Sequence, residues 1–194
     1  MGRGVYFPSP KPIVISPVSL GNRIVVVGVT GSGKTTLARQ LSCHLSLPHI
    51  ELDALHWEEN WTAVSKHRFR QKVQAALAGD CWVVDGNYSK ARDLIWPRAQ
   101  TLIWLDYSLS FILWRQISRG LRRIVTQEEL WNNNQETWRN FFSRDSLILW
   151  AIKTHPRRRR EIPQLLKQAE HAHLQIIHLR SAKETEEWLA HIQT

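Results

Sequence analysis

The sequence predicts a three-layer α/β domain around a short parallel sheet of about five strands, with a helical lid inserted after the fourth. Three observations carry that reading. Short apolar runs, often β-branched, alternate with stretches of helical spacing from Arg23 onward, as in βα units of a sheet covered on both faces. A glycine-rich segment from Gly28 to Gly33 joins the first run to the first helix. Three of the runs end on an acid, at Asp53, Asp85 and Asp106, and in such sheets ligands bind outside the carboxyl ends of the strands.

Taken in order, Arg23-Ile24-Val25-Val26-Val27 lies between Gly21 and Gly28 and has the pattern of a strand buried on both faces. A helix from about Lys34 to Leu45 follows the glycine loop, and Pro48 ends it. His49-Ile50-Glu51-Leu52 reads as a second strand delivering Asp53 at its end. Between Ser65 and Leu77, Phe69, Val73, Ala76 and Leu77 share one helical face, which Gly79 terminates. Cys81-Trp82-Val83-Val84 is a third strand running into Asp85-Gly86, and Thr101 to Leu105 a fourth running into Asp106. From Ser108 to about Arg160 the pattern is mainly helical, rich in arginine and tryptophan and interrupted by Asn132, Asn133 and Asn134; the lid is expected over about 113–160. Leu174 to Leu179 makes a fifth strand, and a helix from about Lys183 to Ile192 closes the chain. Residues 1–20, with Pro8, Pro10, Pro12 and Pro17 and no periodicity, predict a loose extension, leaving 21–194 as one domain.

Composition narrows the function classes. Apolar residues at 43% and charged residues at 22% are ordinary globular usage, which argues against a disordered or membrane-embedded chain. No apolar run approaches the roughly 18 residues of a membrane span, and the start lacks a basic stretch leading into an apolar core, so a cytoplasmic protein is expected. Cys43 and Cys81 form no metal-type or redox-type pair and are expected to be small buried apolar residues. The nine histidines lack metal-ligand spacing, and zinc is not expected. The net charge of +9 favours anionic partners.

Gly28-Val29-Thr30-Gly31-Ser32-Gly33-Lys34-Thr35 satisfies G-x-x-x-x-G-K-[ST] after a strand and before a helix, the context that marks a P-loop. Gly28, Gly31 and Gly33 let successive amides, with Ser32 among them, converge on an anion, and the helix adds the positive end of its dipole. Lys34 is placed to bridge the β and γ phosphates of ATP, the Thr35 hydroxyl to ligate Mg²⁺, and Thr36 to reach the α phosphate. The fold class is therefore a P-loop NTPase fold.

With Asp85-Gly86, Asp106, Arg115 and Arg119 beside that loop, the chain resembles the nucleoside-monophosphate-kinase-like branch of P-loop proteins from about Arg23 onward. Val84-Asp85-Gly86 looks like the D-G element of adenylate kinases, and the resemblance implies that Asp85 organises Mg²⁺. Asp106 to Arg115 to Arg119 is similar to their strand-then-R-x-x-x-R element, implying that Arg115 stacks near the base and Arg119 reaches the phosphates. Asp53, Trp57, Trp61, Asp85-Gly86-Asn87-Tyr88 and the tryptophan-rich lid resemble adenylate-kinase-related sequences of the "DNA topology modulation protein" type.

The departures concern the acceptor. Adenylate kinases carry an arginine three positions after the acid of the second strand and another four after the D-G acid; here those positions hold His56 and Ser89. A dianionic acceptor would lose two charge-assisted contacts of about 1.5 to 3 kcal/mol each, unless Lys90, Arg92 or Arg68 compensated. Asp53-Ala54-Leu55-His56 resembles the acceptor-side element of small-molecule kinases such as gluconate kinase, where a carboxylate faces a hydroxyl. An acid suits a hydroxyl acceptor, which must lose a proton; Asp53 could equally hold a base or ribose.

Other features have plainer readings beside the functional ones. Arg115, Arg119, Arg122 and Arg123 recur at helical spacing, as a solvent-facing stripe also would, and Arg139, Arg144 and Arg157 are further lid candidates. The run Arg157 to Arg160 invites a nucleic-acid reading, but no recognised nucleic-acid motif accompanies it. Most tryptophans should be core, Trp82, Trp104 and Trp114 among them, while Trp57 and Trp61 could stack on an acceptor ring. The function expected is transfer of the γ-phosphoryl group from ATP·Mg²⁺ to a small nucleotide or hydroxyl acceptor, with Lys34, Asp85, Arg115, Arg119 and Asp53 as the working residues. The alternative is an ATP-driven switch with slow hydrolysis and a macromolecular partner such as DNA.

Overall fold

In the computed structural model, which describes residues 20–126 and 147–192, the chain opens with strand β1 (Arg23–Gly28) and helix α1 (Lys34–Leu45). Strand β2 (His49–Glu51) runs into a short helix α2 (Leu52–His56), then into a two-residue hairpin of β3 (Trp57–Glu58) and β4 (Thr62–Ala63). Helix α3 (Lys66–Ala76) leads to β5 (Trp82–Asp85), α4 (Arg92–Ile95) and β6 (Thr101–Leu105). Helices α5 (Leu109–Thr126) and α6 (Leu147–Leu166) precede β7 (Gln175–Leu179) and α7 (Ala182–Ile192). Arg139, Arg144 and the proline-rich start lie outside the described residues. Among the described residues no helix is long and apolar enough to cross a membrane.

The five strands β2-β5-β1-β6-β7 pair in that order, all parallel. Alternation along β1 sends Ile24 and Val26 into one layer, with Leu37, Leu41, Ile112 and Trp188, and Val25 and Val27 into the other, with Phe69, Val73, Trp82 and Ile162. Both faces are dry, which is why β1 reads as an unbroken β-branched run. Phe69 is fully buried, and its truncation to alanine would cost about 3 to 5 kcal/mol. The Ser65 hydroxyl caps α3 by accepting from the Arg68 amide at 3.2 Å.

Register brings the chemistry to one edge. Val26 lies opposite Asp85, Glu51 opposite Asp85, and Gly28 opposite Leu105, so the loop, Asp85 and Asp106 leave the sheet at nearly one level. Helix α6 crosses this edge: Ala151 belongs to the first core layer and Ile162 to the second. It is fastened on the way by His155, whose Nε2 meets the Tyr107 carbonyl at 2.9 Å.

Three expectations need correction. Cys43 and Cys81 are exposed, because Leu37, Ala38 and Leu41 occupy the inner face of α1 and Cys81 sits before β5 begins. Trp114 is 63% exposed although its ring lies 6.0 Å from Phe111; the apolar face of α5 turns inward at Ile112 instead. The second strand stops at Glu51, so Asp53 is presented by the first turn of α2 and not by a strand end.

Candidate functional site

The glycine loop takes its shape from residues with no side chain to obstruct it. Gly31 and Gly33 hold φ of 85° and 96°, a region costly for residues bearing a Cβ. A Cβ on Gly31 would also meet Gln116 Cγ at 2.6 Å, and one on Gly33 would meet the Arg115 guanidinium at 3.1 Å. The loop closes through the Ser32 amide on the Val29 carbonyl at 3.0 Å, and α1 then begins at Lys34 with the unpaired amides of a helix start. Ser32 is fully buried and its hydroxyl has no hydrogen-bond partner.

Lys34 is half-buried with its ammonium donating to the Val29 carbonyl at 3.2 Å. Burial holds its pKa below the ordinary lysine value; the carboxylates of Asp53 and Asp85 oppose that, while Arg119 and Arg158 reinforce it. Four groups from four elements thus share the electrostatic field of one ammonium. The Thr35 hydroxyl donates to Asp85 Oδ1 at 3.0 Å, and His49 Nε2 meets Asp85 Oδ2 at 2.7 Å. Asp85 itself is buried. Thr36 is exposed. Asn87 straps the start of the loop: its Oδ1 accepts from the Gly28 amide at 3.3 Å, and its Nδ2 donates to the Gly28 carbonyl.

Helix α5 stands over the loop. Gln116 Nε2 donates to the Thr30 carbonyl at 2.8 Å, and the Arg115 guanidinium, lying against Gly33, sits 5.7 Å from the centre of the Phe111 ring. One turn on, Arg119 shares that face. Arg122 is exposed, and the side chain of Arg123 lies outside what the structure describes. A hollow of about 260 Å³ adjoins Phe111, bounded by Tyr107, Ser108, Arg180, Ser181 and Lys183.

The acceptor half gathers around Asp53. Its Oδ1 accepts from the Tyr88 hydroxyl at 2.5 Å, and the Trp57 indole in turn donates to the Tyr88 oxygen. Burial, then the neighbouring Asp53 charge, push the Tyr88 phenol far above its ordinary pKa, so it stays a donor. The Tyr88 ring lies 4.8 Å from His56 and 4.9 Å from Phe69. Lys90 donates to His56 Nδ1 at 3.1 Å and lies over the Phe69 ring at 4.7 Å. Burial lowers the pKa of both Lys90 and His56. Trp57 packs on His56 at 4.7 Å and meets Trp61 edge-on at 5.9 Å.

The arginine run on α6 does not act as one patch. Arg158 turns inward, donating to the Asn87 carbonyl at 3.0 Å and pairing with Glu161 at 3.1 Å, and Glu161 also takes Arg92 at 3.0 Å. Burial lowers the Arg158 pKa, which Glu161 partly offsets. Arg159 grips Asp106 at 2.8 Å, with His178 on the same carboxylate at 3.1 Å. Arg157 points to solvent at 73% side-chain exposure. Asn87, Tyr88, Arg92 and Arg158 line one narrow hollow beside the acceptor half.

These residues fit a nucleoside triphosphate with its metal. A buried hydroxyl without a partner, a cradle that any Cβ would fill, and a hydroxyl beside a carboxylate suit phosphate oxygens and a hard cation. Thr35 and Asp85, whose oxygens lie 3.0 Å apart at the end of the loop, are the residues that would hold such an ion. Gly28, Gly31, Ser32, Gly33, Lys34, Thr35, Asp85, Asp53, Arg115 and Arg119 are therefore brought to one sheet edge, with Thr36 on the outside of α1. His49 joins them without having been singled out from sequence, and Asn87, Tyr88 and Arg158, which sequence reading named only within the Asp85–Tyr88 element and the arginine run, join them as well. A signal existed for Arg158: four consecutive arginines on a helix advance 100° each, so they cannot all face one way.

Comparison with known proteins agrees with this architecture. The model of the ATPase family associated with various cellular activities (AAA) matches residues 24–85, which span the phosphate loop through Asp85. No curated protein matches the sequence. A gluconokinase from Sinorhizobium meliloti 1021 superposes with a TM-score of 0.51 at 21% identity, covering 89% of this chain and 92% of that one. A shikimate kinase from Bacteroides thetaiotaomicron gives a TM-score of 0.51 at 15% identity, over 89% and 96% of the two chains. The fold is that of the P-loop kinases.

Proposed function

We propose that the chain is an ATP-dependent phosphotransferase acting on a small hydroxyl compound. The observation that carries the reading is the convergence on Lys34 of two carboxylates with separate surroundings: Asp85, paired to Thr35, and Asp53, held by Tyr88. One lies on the metal side of the phosphates and the other on the acceptor side.

Lys34 and the loop amides would hold the β and γ phosphates, and Thr35 with Asp85 would hold Mg²⁺, which when bound neutralises phosphate charge. Arg115 and Arg119 stand over the donor from α5, and Arg158 adds positive charge from α6. The acceptor hydroxyl gives its proton to Asp53 as its oxygen bonds to the γ phosphorus; the bond to the β–γ bridging oxygen breaks and its electron pair leaves with ADP. Catalysis of this kind is mostly positioning and charge stabilisation. An enzyme of this kind would work in the cytoplasm.

A hydroxyl acceptor is favoured over a nucleoside monophosphate because the cations that could replace the missing arginines are engaged elsewhere. Arg68 pairs with Glu58 at 2.8 Å, Arg92 with Glu161, and Lys90 with His56. The two superposed kinases are named for gluconate and shikimate, both hydroxy acids, which supports the same class. A coupled ADP-release assay across sugar acids, other hydroxy acids, nucleoside monophosphates and no acceptor tests this. Stimulation by a hydroxy compound is expected. Stimulation only by a nucleoside monophosphate would reverse the acceptor assignment, and uniform slow hydrolysis would replace the kinase by an ATP-driven switch.

A further inference from the structure

The donor chain ending on Asp53 does more than fill space. Trp57 donates to the Tyr88 oxygen and Tyr88 donates to Asp53 Oδ1 at 2.5 Å, so one carboxylate oxygen is occupied from within the fold. Asp53 sits on a helix of five residues, too short to fix a rotamer by its own packing. Its carboxylate needs an external hold, and the Tyr88 hydroxyl gives one. Tyr88 can supply that hold because its own ring is clasped by His56, Phe69 and the Lys90 ammonium, and because Asn87, the residue before it, is strapped to Gly28. A phenol anchored to the phosphate loop through its neighbour thus sets the direction of the acceptor-side acid.

We infer that Tyr88 is a positioning residue: by occupying Asp53 Oδ1 it commits Oδ2 to the acceptor hydroxyl, and Trp57 keeps the phenol turned toward Asp53. This rests on the phosphotransferase reading, with Asp53 as the proton acceptor. Tyr88 itself gains and loses no proton in the reaction. A tyrosine that served only to fill the aromatic cluster would make no difference between Asp and Asn at position 53.

That contrast defines the test. ADP release from ATP·Mg²⁺, with gluconate, shikimate and water as acceptor probes, is measured for the wild type, Tyr88→Phe, Asp53→Asn and the double variant, with ATP affinity and thermal denaturation followed in each. Tyr88→Phe is expected to lower kcat about tenfold at unchanged ATP affinity, the scale of misaiming one reacting group. In the Asp53→Asn background the same change is expected to cost nothing, because residues acting as a unit are non-additive. Equal losses in both backgrounds, no loss in Tyr88→Phe, or an Asp53→Asn variant as active as the wild type would each overturn the inference while leaving a live enzyme and the fold intact. A wild type whose ADP release neither hydroxy acid stimulates over water would instead overturn the phosphotransferase reading beneath it. If Tyr88→Phe fails to fold, Trp57→Phe reports on the same donor chain from the β3 hairpin, outside the five-stranded sheet, with a smaller loss expected and the same dependence on Asp53; equal loss in both backgrounds would overturn the inference there too.

Discussion

The donor half of the site runs through eight consecutive residues, Gly28 to Thr35, whereas the acceptor half is assembled from α2, the β3 hairpin, α3 and the turn after β5. The first works through backbone geometry: three glycines at positive φ, a helix start and one ammonium. The second works through side chains that must find one another across 35 positions, as Asp53 and Tyr88 do. Phosphate is the same in every substrate of such a fold and can be held by main chain, while an acceptor is particular and must be met by side chains. The donor half should therefore fail abruptly when one residue is changed, and the acceptor half by degrees.

The largest effect is expected from Lys34→Ala. Removing the ammonium at the phosphates should lower ADP release by about 100- to 1000-fold, the scale found when one preorganised charge-stabilising donor is deleted. Calorimetry with ATP·Mg²⁺ should show affinity lost in parallel. Undiminished affinity would break the assignment of the donor half.

Next come the arginines of α6, where the two halves meet. Arg158→Met removes a half-buried guanidinium that ties Asn87 to Glu161, and activity should fall about tenfold, roughly the worth of one charge-assisted hydrogen bond. Arg157→Met, at the exposed neighbour, should leave activity unchanged. Equal losses at both positions would mean that the run works as a surface patch, the reading that favours a polyanion.

The unequal construction also governs what could be read from the sequence. The loop, the five strands and the acids closing β5 and following β6 were legible because each is signalled by neighbours in the chain: β-branched runs, G-x-x-x-x-G-K-T, Asp85 at a strand end; Asp53 was expected at a strand end and stands instead in the first turn of α2. Arg115 and Arg119 were legible as one helical face, and Gln116 between them, turned to Thr30, was not. His49 carries no local signature and reaches Asp85 only because β2 pairs beside β5; Tyr88 and Arg158 stood within legible segments, but nothing local assigned them their partners. Trp114 and the two cysteines misled because residue type is a weak guide to burial where a helix has an outer face.

A pH experiment sharpens the acceptor side. Burial, then Lys90, hold the His56 pKa below its ordinary 6.5, with Asp53 opposing. Below pH 6.5 the unfolded chain therefore binds a proton that the native state resists, so stability rises with pH through this window. The contribution is fully present above pH 6.5 and is lost as pH falls toward the lowered native value. Urea denaturation should show that slope in the wild type and a flatter one in His56→Gln. Identical slopes would remove His56 from the account of the acceptor half.

The smallest effect on folding should come from Ser32→Ala, and its value lies in the contrast between two measurements. The Ser32 hydroxyl is buried without a hydrogen-bond partner, so its removal breaks no internal bond and relieves an unsatisfied group. Stability should stay within about 0.5 kcal/mol of the wild type or rise slightly. If that hydroxyl is kept unpaired for a phosphate oxygen, ATP affinity should nevertheless fall about three- to tenfold, the worth of one hydrogen bond made only in the complex. Stability and affinity moving in opposite directions would separate a group reserved for a ligand from one that is merely badly packed. Affinity unchanged would show that the Ser32 hydroxyl is not reserved for a phosphate.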